Sequence, residues 1–397
     1  MLKQWNMVLI ILTYCLVIYG TFLTRSGVLS SVHAFAQSAI GPLFFAFITL
    51  TFVASLALLL QRWNELKSEA QMISLLSREA LFLMNNLFFL GITVICFWGV
   101  NFPLLSELVV GQKVTVGPPF YVRATAPLFA GLFILMGIAP LSGWGHSTLK
   151  TLGRSIWKPL GVSLVALVII LGGGIHNPGA LLGFWLVVFV IAVTLFEYTR
   201  AVWARHLLWH ESIPIALWHL AGRNRRRYGG YLIHLAITLM ALGVIGIEFF
   251  QTETQGTIAL GDQLALDGYT IRYDSLKIFN TTDGRNVARS VVSVYKGGKY
   301  LGELYPRREY YVESQQPLTI AGVRSTMEDD LYVLLVDWQP ISTAGATFKI
   351  YHNPLVNWLW FGSFILILGA LVAAWPEKDP IPTATKVNSR RYAAGEA

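Results

Sequence analysis

Two histidines have sequence surroundings that suit ligand chemistry. His33 follows an apolar run that ends at Arg25, within the nearly uncharged stretch 21–36, and His234 lies in the uncharged run 229–247. A neutral imidazole can offer a ring nitrogen to iron, and an arginine can pair with a carboxylate of the group that carries the iron. These residue types predict a ligand site at His33, with Arg25 as its candidate carboxylate partner, and a second site at His234.

Each of these residues also has a structural interpretation. A loop histidine such as His33 can simply be solvated, and Arg25 can anchor a helix end at a membrane interface. His234 can bond to a neighbouring helix, although an ionisable group within a membrane span is a functional candidate by default. Gly229 and Gly230, about one turn earlier, allow close approach of either a flat macrocycle or another helix. Both interpretations stay open at this point.

The remaining histidines are weaker candidates. His206 and His210 are four residues apart, a spacing that places both rings on one face of a helix and can hold a metal. An amphipathic interfacial helix explains that segment better, because Trp203, Trp209 and Trp218 lie close by. The other four lie at predicted membrane edges and are interpreted as ordinary histidines without a ligand role: His146, His176, His219 and His352.

The composition is that of an integral membrane protein. Of 397 residues, 54% are hydrophobic and only 13% are charged, and the mean hydropathy is +0.55. The net charge of +8 is concentrated in short segments between apolar runs, as the positive-inside rule requires, so no nucleic-acid partner is expected.

Eight apolar runs are long enough to cross a bilayer. They lie near residues 5–24, 42–60, 81–101, 125–141, 158–175, 179–198, 229–250 and 355–375. Basic residues concentrate in alternate connectors, so both termini are predicted to be cytoplasmic. We therefore expect seven helices in residues 1–250, the last in 353–376 and a cytoplasmic tail in 377–397. Since only GGGIHNPG separates the fifth and sixth runs, a re-entrant pair remains an alternative there.

Residues 251–352 predict a small all-β domain on the extracytoplasmic side. Short alternating runs such as TIAL, SVVSVY and YVLLVDW are separated by Gly-Asp, Asp-Gly and Gly-Gly. The clearest hairpin is 291–304, with Lys296-Gly-Gly-Lys299 as its turn. The domain has no histidine or cysteine before His352, so we expect a docking module without catalytic residues, in which Arg307 and Arg308 are exposed charges that contact partners. The fold class is thus a polytopic α-helical membrane protein with a small extracytoplasmic β domain.

Several stretches resemble the C-terminal part of the CcmF/NrfE family of cytochrome c-type biogenesis proteins, in the family's order. They are GTFLTRSGVLSSVHAFA (20–36), LLSREALFLMNNLFFL (75–90), VGPPFY (116–121), YGGYLIHLAITLMALGVIGI (228–247), GDQLALDGYTIRY (261–273) and GELYPRREYY (302–311). The resemblance implies a subunit of the system I haem lyase of the bacterial inner membrane, which joins haem to cysteine thiols of apocytochrome c as thioethers. Such a subunit is not expected to be active alone.

The resemblance also implies roles for the two histidines. His33 matches the family's second extracytoplasmic haem-ligating histidine, which holds haem in transit from the chaperone CcmE. His234 matches the second transmembrane histidine, which ligates a resident b-type haem that relays electrons, with quinol as a candidate donor. The two histidines are predicted to serve different haems, because one lies in an extracytoplasmic loop, the other lies toward the cytoplasmic side, and a bilayer core is about 30 Å thick.

One family feature is not found in this sequence. The tryptophan-rich motif of the form WGGWWFWDPVE is missing, together with the two histidines that accompany it, whereas bis-histidine ligation needs two imidazoles. Either a partner chain carries them or the sequence is a piece of a longer protein. The other implied partners are CcmE, CcmH/CcmI-type apocytochrome-binding subunits and apocytochrome c with its CxxCH motif. Two other classes remain as alternatives, a membrane haem transporter or exporter and a non-catalytic assembly subunit.

Overall fold

The computed structural model describes residues 3–28, 40–67, 74–312, 315–338 and 345–376. The chain forms two compact units, Met1–Ser155 and Ile156–Ala397. The helices before the β domain are α1 (Lys3–Ser26), α2 (Ile40–Gln61), α3 (Arg78–Val110), α4 (Pro118–Ile138), α5 (Leu149–Gly172), α6 (Pro178–Trp209), α7 (Ile213–Arg223) and α8 (Arg225–Phe250), and α9 (Asn357–Ala374) follows it. The boundary between the two units falls within α5.

Eight of the described helices are long and apolar enough to cross a membrane, which confirms the predicted fold class. The exception is α7, which has only 11 residues. The fifth and sixth runs form separate helices, each with enough residues to span a bilayer. Asn177 caps α6, since its side-chain oxygen accepts from the backbone N–H of Gly179 at 2.9 Å and of Ala180 at 3.2 Å. This cap and the Pro178 that follows it explain why the chain turns at GGGIHNPG.

In the first unit, hydrogen bonds join the first residues of α3 to the connector after α4. The Arg78 guanidinium donates from Nε to the Ser142 carbonyl at 2.6 Å and from Nη2 to the Pro140 carbonyl at 2.7 Å. The Glu79 carboxylate accepts from the Gly145 N–H at 3.0 Å. Two successive helices therefore begin and end on the same side, as the alternating topology requires. The SRE residues of the stretch 75–90 thus have a structural role.

In the second unit, α8 and α9 pack closely because glycines line their interface. A Cβ on Gly229 would lie 2.6 Å from the Ala373 nitrogen, and one on Gly243 would lie 2.8 Å from the Leu359 nitrogen. The helices run antiparallel, because early residues of α8 meet late residues of α9. Small residues at such an interface let two backbones approach. The β domain is inserted between the two helices, at the end opposite Arg225.

The β domain is a sandwich of two antiparallel sheets. Its strands are β1 (Thr252–Ile258), β2 (Gln263–Leu266), β3 (Tyr269–Asn280), β4 (Arg285–Lys296), β5 (Lys299–Leu304), β6 (Arg307–Tyr311), β7 (Gln316–Ile320), β8 (Gly322–Ser325), β9 (Asp329–Trp338) and β10 (Ala346–Pro354). One sheet has the order β1-β10-β9-β8, and the other has the order β2-β3-β4-β6-β7 with β5 also paired to β4. Alternate residues such as Ile271, Val292, Leu331 and Phe348 fill the core between the sheets.

Two predicted details of the sandwich have different outcomes. The hairpin at 291–304 is confirmed, because Lys296 pairs with Lys299 and the turn glycines, Gly297 and Gly298, have φ of 57° and 82°. Positive φ at both central positions is what a tight hairpin turn requires. The strand predicted at TIAL was placed too late, because β1 ends at Ile258 and a turn with Gly261 at φ 90° follows.

Candidate functional site

The three predicted site residues differ in what the structure says about them. His33 lies outside the described residues. Arg25 lies in the last turn of α1, where it is exposed. His234 lies in α8, one helical turn after Gly230. The candidate site is therefore built around His234.

The His234 ring combines burial with an unused nitrogen. The imidazole is half-buried, yet its Nδ1 is buried and has no hydrogen-bond partner among the described residues. A buried polar atom without a partner costs about 1–3 kcal/mol, so such atoms need an explanation. The alternative of a hydrogen bond from His234 Nδ1 to a neighbouring helix is not found in the described structure. An imidazole with an unused buried nitrogen fits a ligand site.

The two glycines before His234 have different surroundings. Gly229 packs against the backbone of α9, so its role is helix packing. A Cβ on Gly230 would meet no described atom within 4 Å. Residues four apart in a helix share a face, so Gly230 leaves space on the His234 side of α8. Space beside an imidazole is what a flat macrocycle needs, so these residues fit haem, whose iron His234 would hold.

A charged cluster lies at the start of the same helix and was missed in the sequence. Glu197 of α6 is only 6% exposed. Its carboxylate accepts from Arg227 Nη2 at 2.8 Å and from the Tyr231 hydroxyl at 3.3 Å, and Arg200 lies 3.9 Å away. A buried carboxylate in a span needs such partners. A glutamate within an apolar run is unusual, and this could have marked Glu197 as a candidate. Its main partner, Arg227, is 30 residues away in the sequence and was therefore not recognised.

Arg227, Tyr231 and His234 follow one another along α8. Their spacing, i, i+4 and i+7, places all three on one helix face. The Arg227 Nε also donates to the Tyr231 hydroxyl at 3.1 Å, and its guanidinium carbon lies 5.6 Å from the centre of the Tyr231 ring. The candidate site thus has an imidazole at one end and a fixed cation at the other.

The weaker alternative, a metal site held by His206 and His210 on one helix face, is not supported by the described structure. His210 ends α6 with a left-handed φ of 53°, so the two rings do not share a helix face. His206 Nδ1 lies 2.6 Å from the Glu211 carbonyl, and His219 Nδ1 lies 2.9 Å from the Glu211 carboxylate. The segment interpreted as one interfacial helix is divided between two helices, because Trp203 and Trp209 belong to α6 whereas Trp218 belongs to the short α7.

His352, in β10, has a carboxylate next to each of its ring nitrogens. Its Nδ1 lies 3.1 Å from the Asp267 carboxylate and its Nε2 lies 3.1 Å from Asp329. Asp329 also accepts from Lys296 at 3.0 Å and from the Tyr269 hydroxyl at 2.9 Å. Burial raises the Asp329 pKa, but these hydrogen bonds outweigh burial and bring it to about 2. We name this set the basal cluster: Asp267, Tyr269, Lys296, Asp329 and His352.

Arg307 and Arg308 are not free surface charges, contrary to the prediction. Both are half-buried in β6. Arg307 pairs with the buried Glu309 at 2.8 Å, and Arg308 Nη1 donates to the Val336 carbonyl of β9. Arg308 therefore joins the two sheets.

The described architecture defines a polytopic helical membrane protein with a β-sandwich between its last two described spans and a histidine with a buried, unpartnered ring nitrogen in the span before the sandwich. Residues 249–354 match the family described as the CcmF C-terminal beta-sandwich. Over most of its length the chain is homologous to the CcmF/NrfE family, which confirms the resemblance seen in the sequence.

The individual relatives support this assignment. The cytochrome c-type biogenesis protein CcmF of Pseudomonas aeruginosa is 29% identical over 404 residues, which cover 99% of this chain and 58% of that protein. The CycK protein of Rhizobium meliloti is 28% identical over 94% of this chain and 54% of its own length. A solved structure named cytochrome c heme lyase CcmF matches with a TM-score of 0.72 at 22% identity, over 94% of this chain and 55% of that one. The chain thus spans little more than half the length of these relatives.

Proposed function

We propose that this chain supplies part of a cytochrome c haem lyase and binds a b-type haem through His234. The observation that carries the proposal is the buried Nδ1 of His234, without a described partner, on the helix face that Gly230 leaves open. The names of the relatives, cytochrome c-type biogenesis protein and cytochrome c heme lyase, support the same chemistry.

Haem would supply a redox-active iron and vinyl groups that react with cysteine thiols, so the protein's work is binding and orientation. His234 would hold the iron of one haem in the membrane span. His33 would hold a second haem, delivered by CcmE, outside the membrane, and Arg25 would pair with one of its carboxylates. A partner chain or a further segment of the same protein would supply the two further histidines and the tryptophan-rich motif.

The β-sandwich docks partner subunits, for which CcmH/CcmI-type proteins and apocytochrome c are the candidates. The outer face of the larger sheet supports this role, because Arg289 lies between the rings of Phe279 and Tyr305, at 5.8 and 6.0 Å from their centres. Both rings are exposed. Aromatic residues and arginine are enriched at protein interfaces. Phe279→Ala is a better test of docking than a change at Arg308, which joins the two sheets, or at Arg307, which pairs with the buried Glu309.

The chain lies in the inner membrane with both termini in the cytoplasm and the sandwich outside. The basic residues of alternate connectors support this orientation. Reporter fusions at Gly298 and in the tail after Pro376 should report opposite sides of the membrane. The same side for both fusions would contradict the topology.

An absorption spectrum of each histidine variant, purified with and without its partner subunits, tests the proposed function. His234→Ala should remove a low-spin b-type signal that is present without CcmE. His33→Ala should keep that signal and abolish capture of haem from CcmE and cytochrome c maturation. Loss of the resident haem in His33→Ala but not in His234→Ala would contradict the two roles. A wild-type complex without haem would favour the assembly-subunit alternative.

A further inference from the structure

We propose that Arg227 positions the haem bound by His234 by pairing with a propionate carboxylate, and that Glu197 and Tyr231 hold Arg227 in place. This inference rests on the proposed function and extends it from the iron to the anionic edge of the ligand. Arg227 is here a positioning residue, since the iron is bound by His234.

The helix geometry places the two groups on one side of α8. Seven residues separate Arg227 from His234, which corresponds to about 10 Å along the helix axis at 1.5 Å per residue. Side chains in a helix tilt toward its N-terminus, so the His234 ring leans toward Arg227. Gly230, between them on the same face, adds no side chain. Tyr231 lies on the other flank of this face, where its hydroxyl bonds to Glu197. A flat ligand on His234 therefore extends toward Arg227 along the Gly230 flank of α8.

The Arg227 guanidinium is held on one edge only. Its Nη2 and Nε donate to Glu197 and Tyr231, whereas its Nη1 has no hydrogen-bond partner among the described residues. The side chain is 43% exposed, against 6% for Glu197. A guanidinium has five N–H donors in a planar fork that suits a carboxylate. The contacts with Glu197 and Tyr231 fix the fork and leave N–H groups for a second anion.

The charges around Glu197 favour a second anion. One carboxylate, Glu197, faces two cations, Arg227 and Arg200. The group therefore carries a net positive charge at the edge of a membrane span, where an added carboxylate is attracted. If Glu197 and Arg227 served only to join α6 to α8, one cation would be enough to neutralise the carboxylate. The second cation and the remaining N–H groups of Arg227 would then have no role in the pair.

Binding of haem and of haem dimethyl ester to the full chain in detergent tests this inference, with free imidazole as the opposite axial ligand. Wild type should prefer haem over the ester by about tenfold or more, because the ester cannot pair with Arg227 as an anion. Arg227→Gln should lose that preference by weakening haem binding and leaving ester binding unchanged. Arg227→Lys should keep part of it, since the charge remains. Arg226→Gln is the matched control, because Arg226 is exposed and lies about 100° around the helix.

The reduction potential of the bound haem gives a second measurement. A nearby cation disfavours oxidised iron, so Arg227→Gln should lower the potential, Glu197→Gln should raise it, and Arg226→Gln should leave it unchanged. Equal loss of haem and ester in Arg227→Gln, or an unchanged preference, would overturn the positioning role while haem binding stands. If wild type binds neither ligand, the proposed function itself is wrong.

Discussion

Two histidines of the second unit lie in opposite chemical situations. His234, in α8, has a buried ring nitrogen without a described partner. His352, in the basal cluster, has a carboxylate oxygen 3.1 Å from each ring nitrogen. The difference is informative because a histidine whose nitrogens are both engaged serves the fold, whereas an unused buried nitrogen has a cost that a ligand can offset. The hydrogen-bond partners of the ring nitrogens thus distinguish the two cases.

The strongest test of this contrast replaces each of the two histidines by alanine in turn. His234→Ala should abolish haem binding and leave the haem-free stability of the sandwich unchanged, because its ring contributes no described hydrogen bond. His352→Ala should keep haem binding and destabilise the sandwich by about 1–3 kcal/mol, because its contacts with Asp267 and with the buried Asp329 are lost. Haem titration and amide hydrogen exchange of β3 and β9 measure the two effects separately. Haem loss in His352→Ala would break the comparison.

Asp329→Asn should have the next largest effect. The Asp329 carboxylate accepts hydrogen bonds from Lys296 and Tyr269, lies 3.1 Å from His352 Nε2, and belongs to a residue that is 6% exposed. An amide cannot accept all of these bonds, so we expect a loss of about 2–3 kcal/mol. Hydrogen exchange of β9 in the full chain measures it. Asp283→Asn is the control, since that carboxylate is exposed in a turn of the same domain; an equal loss there would contradict a special role for the basal cluster.

The paired glycines of α8 test the site from its backbone. Gly229→Ala should destabilise the α8–α9 pair by about 1–3 kcal/mol, because its Cβ would meet the Ala373 backbone. Gly230→Ala meets no described atom, so stability should hold or rise by up to about 1 kcal/mol. Haem affinity should nevertheless fall in Gly230→Ala, since the methyl group lies on the His234 face. Unchanged haem affinity would exclude that face as the binding surface.

Features set by neighbouring residues could be predicted from the sequence, whereas contacts between residues distant in the sequence could not. The eight spans and the Lys296–Lys299 hairpin are local patterns of length, hydropathy and glycine, and they were predicted. His234 was predicted because a histidine in an apolar run is unusual by itself. The partners of His352 lie 85 and 23 residues away, and the sandwich register brings them together. Sequence spacing cannot reveal such a cluster, nor the pairing of Glu197 with Arg227 between two helices.

The order of strands was equally inaccessible. β1 pairs with β10, although about 90 residues separate them in sequence, so the first and last strands of the domain lie side by side. Alternation identifies strands but does not assign neighbours. The same limit applies to Arg308, whose bond to the Val336 carbonyl joins two sheets and cannot be read from its charge.

A smaller effect is expected in the pH dependence of the stability of the sandwich, which depends on Asp329. The Asp329 pKa is about 2, below the 3.8 of an unperturbed aspartate. A lowered folded pKa contributes stability that is present above 3.8 and is lost as pH falls toward 2. Burial raises the pKa of neighbouring Asp330, which acts in the opposite direction. Asp330 is present in both wild type and Asp329→Asn, so its contribution cancels when the two are compared. We therefore expect stability to fall less steeply with decreasing pH in Asp329→Asn than in wild type. Parallel pH profiles would contradict a lowered pKa of Asp329.

The smallest expected effect is at the hairpin turn that follows Lys296, the residue that pairs with Asp329. Gly298 has φ of 82°, a left-handed conformation that costs a residue with a side chain about 1–2 kcal/mol. A Cβ there would meet no described atom, so the cost of Gly298→Ala is conformational. We expect a loss of about 1 kcal/mol in hydrogen exchange of β4 and β5, with haem affinity unchanged. Gly153→Ala, in the α5 helix of ordinary backbone, should not be destabilising, because alanine favours a helix over glycine. A larger loss in Gly298→Ala than in Asp329→Asn would mean that turn geometry, rather than the buried carboxylate, sets the stability of the basal cluster.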